Sequence, residues 1–235
     1  MSTLLLRLAG PLQSWGVDAK FDRRGTERAP TKSGVIGLVA AALGRQRNES
    51  VEDIHALRFG VRVDREGMLL RDYHTAKSEK AAYVTNRYYL SDAVFLAGLE
   101  GKETLLMEIE CALRNPAFPL FLGRRSCPPE GILTLGIRMG KTLLEALQEE
   151  PWLVSDWLRR RDAPEVRLRI VTDADERDRN AFLQRDVPLS FDQIHRQYGF
   201  RRVYEPYLYV SNPDSLSAVA ERPTEHDPFL ELEEE

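Results

Sequence analysis

Between Pro30 and Gly44 the chain runs through residues 35–43 almost without a polar side chain. Proline punctuates the start, Thr31 or Ser33 can cap the free amides, and Gly44 stops the run, so the segment reads as a helix. A helix that is apolar all round has no solvent face and must lie buried, most naturally against a sheet. Gly37 within it marks close packing. The apolar run at residues 3–9, ending at Gly10-Pro11, supplies a buried strand.

The elements that follow set the fold class. A loop rich in charge and glycine (residues 16–30) separates the first strand from the helix. A short helix is expected at residues 50–57, where Val51, Ile54 and Leu57 share a face. Residues 59–64 alternate as a strand, and Arg65-Glu66-Gly67 turns the chain into a second strand at 68–73. Residues 74–87 are polar with little core material, and read as a protruding hairpin or mobile loop. Strand character resumes at 88–99, followed by a helix at 102–113 with Leu105, Leu106, Ile109 and Leu113 in register. A loop at 115–129 leads to a strand at 131–137. With the insertion set aside the order is β, α, β, β, α, β, the ferredoxin-like arrangement of an α+β domain spanning 1–140.

Beyond Gly140, short helices at 141–149 and 155–160 precede a strand at 165–172. A charged, exposed loop is expected at 173–185, and short strands at 188–189, 203–204 and 207–210. These make a smaller, mostly β domain over 141–211. From residue 212 on, proline, serine and acids dominate, the composition of a disordered acidic tail.

Charge alone does not point to nucleic acid, because the net charge is −4. That figure conceals an asymmetry: from Asn212 onward there are eight acids and one base, leaving 32 bases against 29 acids in residues 1–211. Of the 33 bases, 27 are arginine, whose planar fork suits phosphate and whose face stacks on bases. A GC-rich genome gives the same bias, so position has to decide. Cys111 and Cys127 have neither a disulfide framework nor zinc spacing and read as reduced thiols. No apolar run approaches the roughly 20 residues of a membrane helix. The opening residues lack a basic segment ahead of a long apolar one, so no signal peptide is read and the cytoplasm is the expected compartment.

Five constellations stand out. At the start of the apolar helix, Lys32, Ser33 and Gly34 combine free amides, the helix dipole and a cation, as a phosphate site would. Ordinary capping accounts for Ser33 equally well, and the glycine spacing of a nucleotide P-loop is absent. Arg45 and Arg47 lie just past the helix, where the dipole favours cations in any case. Arg71-Asp72-Tyr73-His74 leads into the insertion; Tyr73 and His74 can stack on bases and Arg71 can hold phosphate, while a surface Arg–Asp pair is the alternative. Arg124 and Arg125 sit between Gly123 and Pro128 in a loop that presents two adjacent guanidiniums, which favours an RNA-backbone contact. Gln13 and Trp15 follow the first strand, where Trp15 serves either in packing or as a stacking platform.

Catalytic motifs are thin. His55, His74, His195 and His226 have no metal-ligand spacing, no nucleophile elbow exists, and no cofactor is expected. A metal-independent ribonuclease needs only a general acid and base, which Tyr73, His74 and Lys77 together could supply.

Four segments occur in a telling order: Leu6-Arg7-Leu8-Ala9-Gly10-Pro11-Leu12-Gln13-Ser14-Trp15-Gly16, Pro30-Thr31-Lys32-Ser33-Gly34 with Gly37 and Leu38, Leu70-Arg71-Asp72-Tyr73-His74-Thr75, and Leu122-Gly123-Arg124-Arg125-Ser126-Cys127-Pro128. Together they closely resemble the CasD family of the RAMP superfamily, subunits of the CRISPR type I-E Cascade complex. The specific match covers about the first 130 residues. The resemblance implies an RRM-like N-terminal domain with a β-hairpin thumb at about 74–90 and a smaller C-terminal domain. It implies binding of the crRNA 5′ handle without catalysis. It also implies contact with the backbone subunit CasC and the large subunit CasA, with target DNA engaged only through the complex. The acidic tail has no counterpart in that pattern. A chain that joins such a complex through protein contacts alone is the structural alternative.

Overall fold

The computed structural model describes residues 1–16, 23–77 and 82–216. The first strand, β1 (Ser2–Ala9), is followed by β2 (Leu12–Gln13), β3 (Arg23–Arg24) and the apolar helix α1 (Lys32–Ala42). Then come α2 (Glu52–His55), β4 (Arg58–Arg65), and the pair β5 (Met68–Lys77) and β6 (Ala82–Ser91). Next are β7 (Val94–Gly101), α3 (Glu103–Arg114), β8 (Thr134–Arg138), α4 (Leu143–Glu149) and α5 (Asp156–Arg159). The last described strands are β9 (Glu165–Asp173), β10 (Phe182–Ser190), β11 (Gln197–Tyr204) and β12 (Tyr207–Ser211).

The protein is a mixed α+β fold built on two sheets. In the larger, the order is β10-β11-β9-β4-β7-β1-β8, with β12 also pairing β9. Its centre is antiparallel throughout: β1 pairs β7 from Ser2↔Gly101 to Ala9↔Val94, and β4 pairs β7 on the other side. The smaller sheet has the order β2-β6-β3, with β5 paired to β6.

Strand periodicity explains the layers. Successive side chains of β1 point to opposite faces, so Leu4, Leu6 and Leu8 join α1 and α3 in one core, while Leu5 packs with Leu143, Ala146 and Leu147 of α4 in another. Full burial stabilises each such leucine by about 2 kcal/mol. Helix α1 starts at Thr31, whose Oγ1 accepts from the Gly34 amide at 3.2 Å, and the chain leaves it at Gly44 with φ +77°. Gly37 lies against the ring of Phe191.

Two sequence expectations change. Residues 88–99 are not one strand: Asp92 takes φ 54°, and the chain passes from β6 in the small sheet to β7 in the large one. The chain divides into two compact units. One unit comprises Met1–Leu153 with Leu168–Leu208, the other Val154–Arg167 with the chain from Tyr209 onward. The reason lies in pairing: β9 joins β4 with Gly60↔Thr172 through Val63↔Arg169, so it extends the first sheet. Strand β10 begins at Phe182, inside the stretch expected to be a charged loop. Within the second unit, the Asn212 amide donates to the carbonyls of Arg159 (2.7 Å) and Ala163 (3.0 Å), and Arg161 stacks over the Trp157 ring. Most of the expected acidic tail, beyond residue 216, lies outside the described residues, as do residues 78–81 of the insertion.

A charge network fastens β9–β11 to α1. Arg201 donates from Nε to Asp186 Oδ1 at 2.6 Å and from Nη1 to Asp173 Oδ1 at 2.8 Å. Asp186, fully buried at 0% exposure, also accepts from the Lys32 backbone amide at 2.9 Å. Lys32 Nζ reaches Asp173 Oδ2 at 3.1 Å, and that oxygen takes the Phe59 amide at 2.9 Å. Two cations and two carboxylates thus balance. Arg201→Met should lower the unfolding free energy by about 3–5 kcal/mol, because it leaves the buried Asp186 carboxylate without its paired guanidinium. Urea unfolding checks this; a loss well under 1 kcal/mol would show that the network holds nothing.

Candidate nucleic-acid interface

The expected phosphate site at the start of α1 is filled from within. The carboxylate of Asp186 occupies the place of an external anion at the helix N-terminus, bonded to the Lys32 amide. Lys32 itself is 6% exposed and paired with Asp173. Burial pushes the pKa of its ammonium down, and the opposing pull of Asp173 does not fully offset this. Ser33 is buried with its hydroxyl 3.3 Å from that of Thr31. Gly34 is where it is for packing: a Cβ there would stand 2.7 Å from the Trp15 ring. These three residues are parts of an internal joint.

Gln13 and Trp15 are interior as well. Both side chains are fully buried. Gln13 Nε2 donates to the carbonyls of Leu8 (3.1 Å) and Ala93 (2.8 Å), while its Oε1 accepts from Trp15 Nε1 at 3.1 Å. The polar groups of both side chains are thereby satisfied within the fold. Arg45 is spoken for as well, in a two-pronged pair with Asp53 and a 2.9 Å bond to the Ser50 carbonyl. That pair holds the Asp53 carboxyl below its usual range. Arg47 is exposed.

The remaining predicted residues gather with others the sequence did not single out. Strand β6 is the spine. Ten consecutive pairs join it to β5, from Met68↔Ser91 to Lys77↔Ala82, and β3 lies parallel on its other side with Arg23↔Asn86 and Arg24↔Arg87. Directly opposed residues of a ladder share a face. One face therefore carries Arg71, Tyr73, Asn86, Tyr88 and Arg23; the other carries Asp72, His74, Arg87, Tyr89 and Arg24. Arg23 sits over the Tyr88 ring at 5.2 Å, and Arg124 over the Tyr89 ring at 4.9 Å.

The loop carrying Arg124 and Arg125 is pinned to this sheet. Gly123 takes φ +84°, and a Cβ there would overlap the Ser14 carbonyl, so only glycine fits. The Ser14 amide donates to the Leu122 carbonyl at 3.1 Å, and its hydroxyl donates to the Tyr88 carbonyl at 3.1 Å. Arg124 Nη2 bonds to the carbonyls of Arg24 (2.9 Å) and Gly25 (3.0 Å). Arg124 is therefore a brace between loop and β3, and Arg125 is the exposed cation. Burial alone would raise the Tyr89 hydroxyl; bonds with Ser126, Arg124 and Arg87 outweigh it and hold the group below the usual phenol value. Burial keeps the Cys127 thiol high and protonated.

Alternation along β5 also bears on ribonuclease chemistry. Tyr73 and Lys77 lie on one face and His74 on the other, where its Nε2 is 2.8 Å from Asp72. The three do not converge on one phosphodiester. Among the described residues no group of three His, Cys, Asp or Glu side chains could hold a metal ion, and no helix is long and apolar enough to cross a membrane.

Sequence reasoning missed Arg23, Arg24, Asn86, Arg87, Tyr88 and Tyr89. The β-prone run Tyr83–Tyr89, three tyrosines around Asn86 and Arg87, was the available signal, masked by its apolar continuation into β7.

This architecture is that of a CRISPR-associated protein. A solved structure described as a Cas protein is 42% identical with a TM-score of 0.70, covering 91% of this chain and 97% of its own. Another, described as a CRISPR RNA-guided surveillance complex, has a TM-score of 0.75 at 34% identity, covering 91% and 92%. Cascade subunit CasD of Escherichia coli (strain K12) is 39% identical over 160 residues, 57% of this chain and 70% of that protein. The family model for CRISPR-associated protein (Cas_Cas5) matches residues 3–204, and the chain belongs to that family.

Gly34→Ala should reduce stability by about 1–3 kcal/mol, because the added methyl presses on Trp15. Thermal unfolding reads this; an unchanged midpoint would contradict the joint described for Gly34 and Trp15.

Proposed function

We propose that this protein is a non-catalytic RNA-binding subunit of a CRISPR type I-E surveillance complex, Cascade, and caps the 5′ handle of crRNA. The observation that carries this reading is the gathering of Arg23 and Arg71 with Tyr73 and Tyr88 on one face of β3 and β5–β6, with the exposed Arg125 on the loop that Arg124 pins to β3. Guanidiniums bind phosphate and tyrosine rings stack on unpaired bases, the combination a single RNA strand needs. Family membership and the similarity to CasD support placement in the complex.

In this reading the order β1, α1, β4, β7, α3, β8, with strands arranged β4-β7-β1-β8, is the ferredoxin-like, RRM-like domain. The β5–β6 hairpin is its thumb, bracing the backbone subunit CasC, with the large subunit CasA as the other neighbour. Target DNA is reached only through the assembled complex. The separation of His74 from Tyr73 and Lys77 favours a holding role over ribonuclease chemistry.

Arginines set affinity through phosphate, and base contacts set selectivity. The double variant Arg23→Glu with Arg125→Glu, both exposed, should weaken crRNA retention about ten-fold or more. It should also flatten the dependence of log affinity on log salt by about 0.7 for each phosphate that is no longer neutralised. Complex purified with normal guide content and an unchanged salt slope would favour assembly through protein contacts alone.

A further inference from the structure

The face of the small sheet bearing Arg23, Arg71, Tyr73, Asn86 and Tyr88 differs in chemistry from a plain phosphate track. Arg71 Nε donates to Asn86 Oδ1 at 2.8 Å. The two residues sit diagonally across the ladder, since Arg71 opposes Tyr88 and Asn86 opposes Tyr73. That bond points the amide oxygen of Asn86 at Arg71, leaving the Nδ2 group of Asn86 and the Nη groups of Arg71 as donors. Beside them, the Tyr73 side chain is 61% exposed, and Arg23 covers the Tyr88 ring.

A fixed pair of adjacent donors matches an edge with two adjacent acceptors. Guanine offers one in N7 and O6, whereas the corresponding edge of adenine pairs an acceptor with the N6 donor. We propose that Arg71 and Asn86 read a guanine base of the bound RNA through N7 and O6, with the tyrosine beside them as its stacking surface. Stacking tolerates any base, so Tyr73 supplies affinity and the Arg71–Asn86 pair supplies selectivity. This assignment rests on the RNA-binding reading above and adds the base class.

Binding of fluorescent single-stranded RNAs to the full chain tests it. The probes are a short oligoadenylate, the same strand with one central guanosine, and the same strand with 7-deazaguanosine in that place. The guanosine strand should bind about ten-fold more tightly than oligoadenylate, and the 7-deaza strand should lose that advantage. Asn86→Asp keeps the side-chain shape and the contact with Arg71 but exchanges donor for acceptor; it should abolish the preference for guanosine while still binding oligoadenylate. Arg71→Lys, which keeps the charge and loses the fork, should do the same. Equal binding of all three strands by the unaltered chain, or a guanosine preference that survives Asn86→Asp, overturns the assignment while leaving RNA binding intact. Failure to bind any strand overturns both readings together.

Discussion

Two carboxylates, the buried Asp186 and the half-buried Asp173, facing two buried cations, Lys32 and Arg201, hold the larger unit in register. Charges taken out of water are costly, so such a set persists only when every member is paired and hydrogen-bonded. Here Asp186 also caps α1 through the Lys32 amide, and Asp173 also takes the Phe59 amide of β4. Four strands and one helix are thereby set against one another by a handful of directional bonds. An apolar contact of the same area would not impose that register.

The proposed RNA-facing surface hangs on this joint through a short chain of contacts. The network sets where α1 begins, and Gly34 in its first turn receives the Trp15 ring. Trp15 bonds to Gln13, and its backbone forms a bridge with Glu27. The segment between them carries Arg24 and Gly25, whose carbonyls hold Arg124. Arg124 in turn covers Tyr89 in the spine strand. Residues that look like ligands at the sequence level thus split into two groups. Lys32, Ser33, Gly34, Gln13 and Trp15 build the support, and Arg23, Arg71, Tyr73 and Tyr88 share one face of the small sheet.

That split marks the limit of what the sequence discloses. The apolar helix and the strands of the central sheet were readable, because periodicity and the punctuation at Pro30 and Gly44 report directly on burial. The 123–126 loop was readable as a presented arginine pair, although Arg124 turned out to be a brace as well. The partner of Lys32 was not readable, because a cation at a helix start has the same signature whether its anion comes from solvent or from Asp186, 154 residues away in sequence. Asp186 and Arg201 gave no sign of burial, since only pairing across β10 and β11 makes their burial tolerable. Arg23, Arg87 and Tyr88 were hidden for a related reason: strand partners, not neighbours in sequence, assemble them.

The central claim is that handle RNA lies on the small sheet and the 123–126 loop and not at the start of α1. Photocrosslinking of crRNA within the assembled complex, followed by mass spectrometry of the linked peptides, addresses it directly. Crosslinks from handle nucleotides should fall on peptides containing Arg23–Arg24, Arg71–Tyr73, Asn86–Tyr89 and Arg125. Crosslinks confined to Lys32–Gly34, or to β10 and β11 with none on the small sheet, would contradict it.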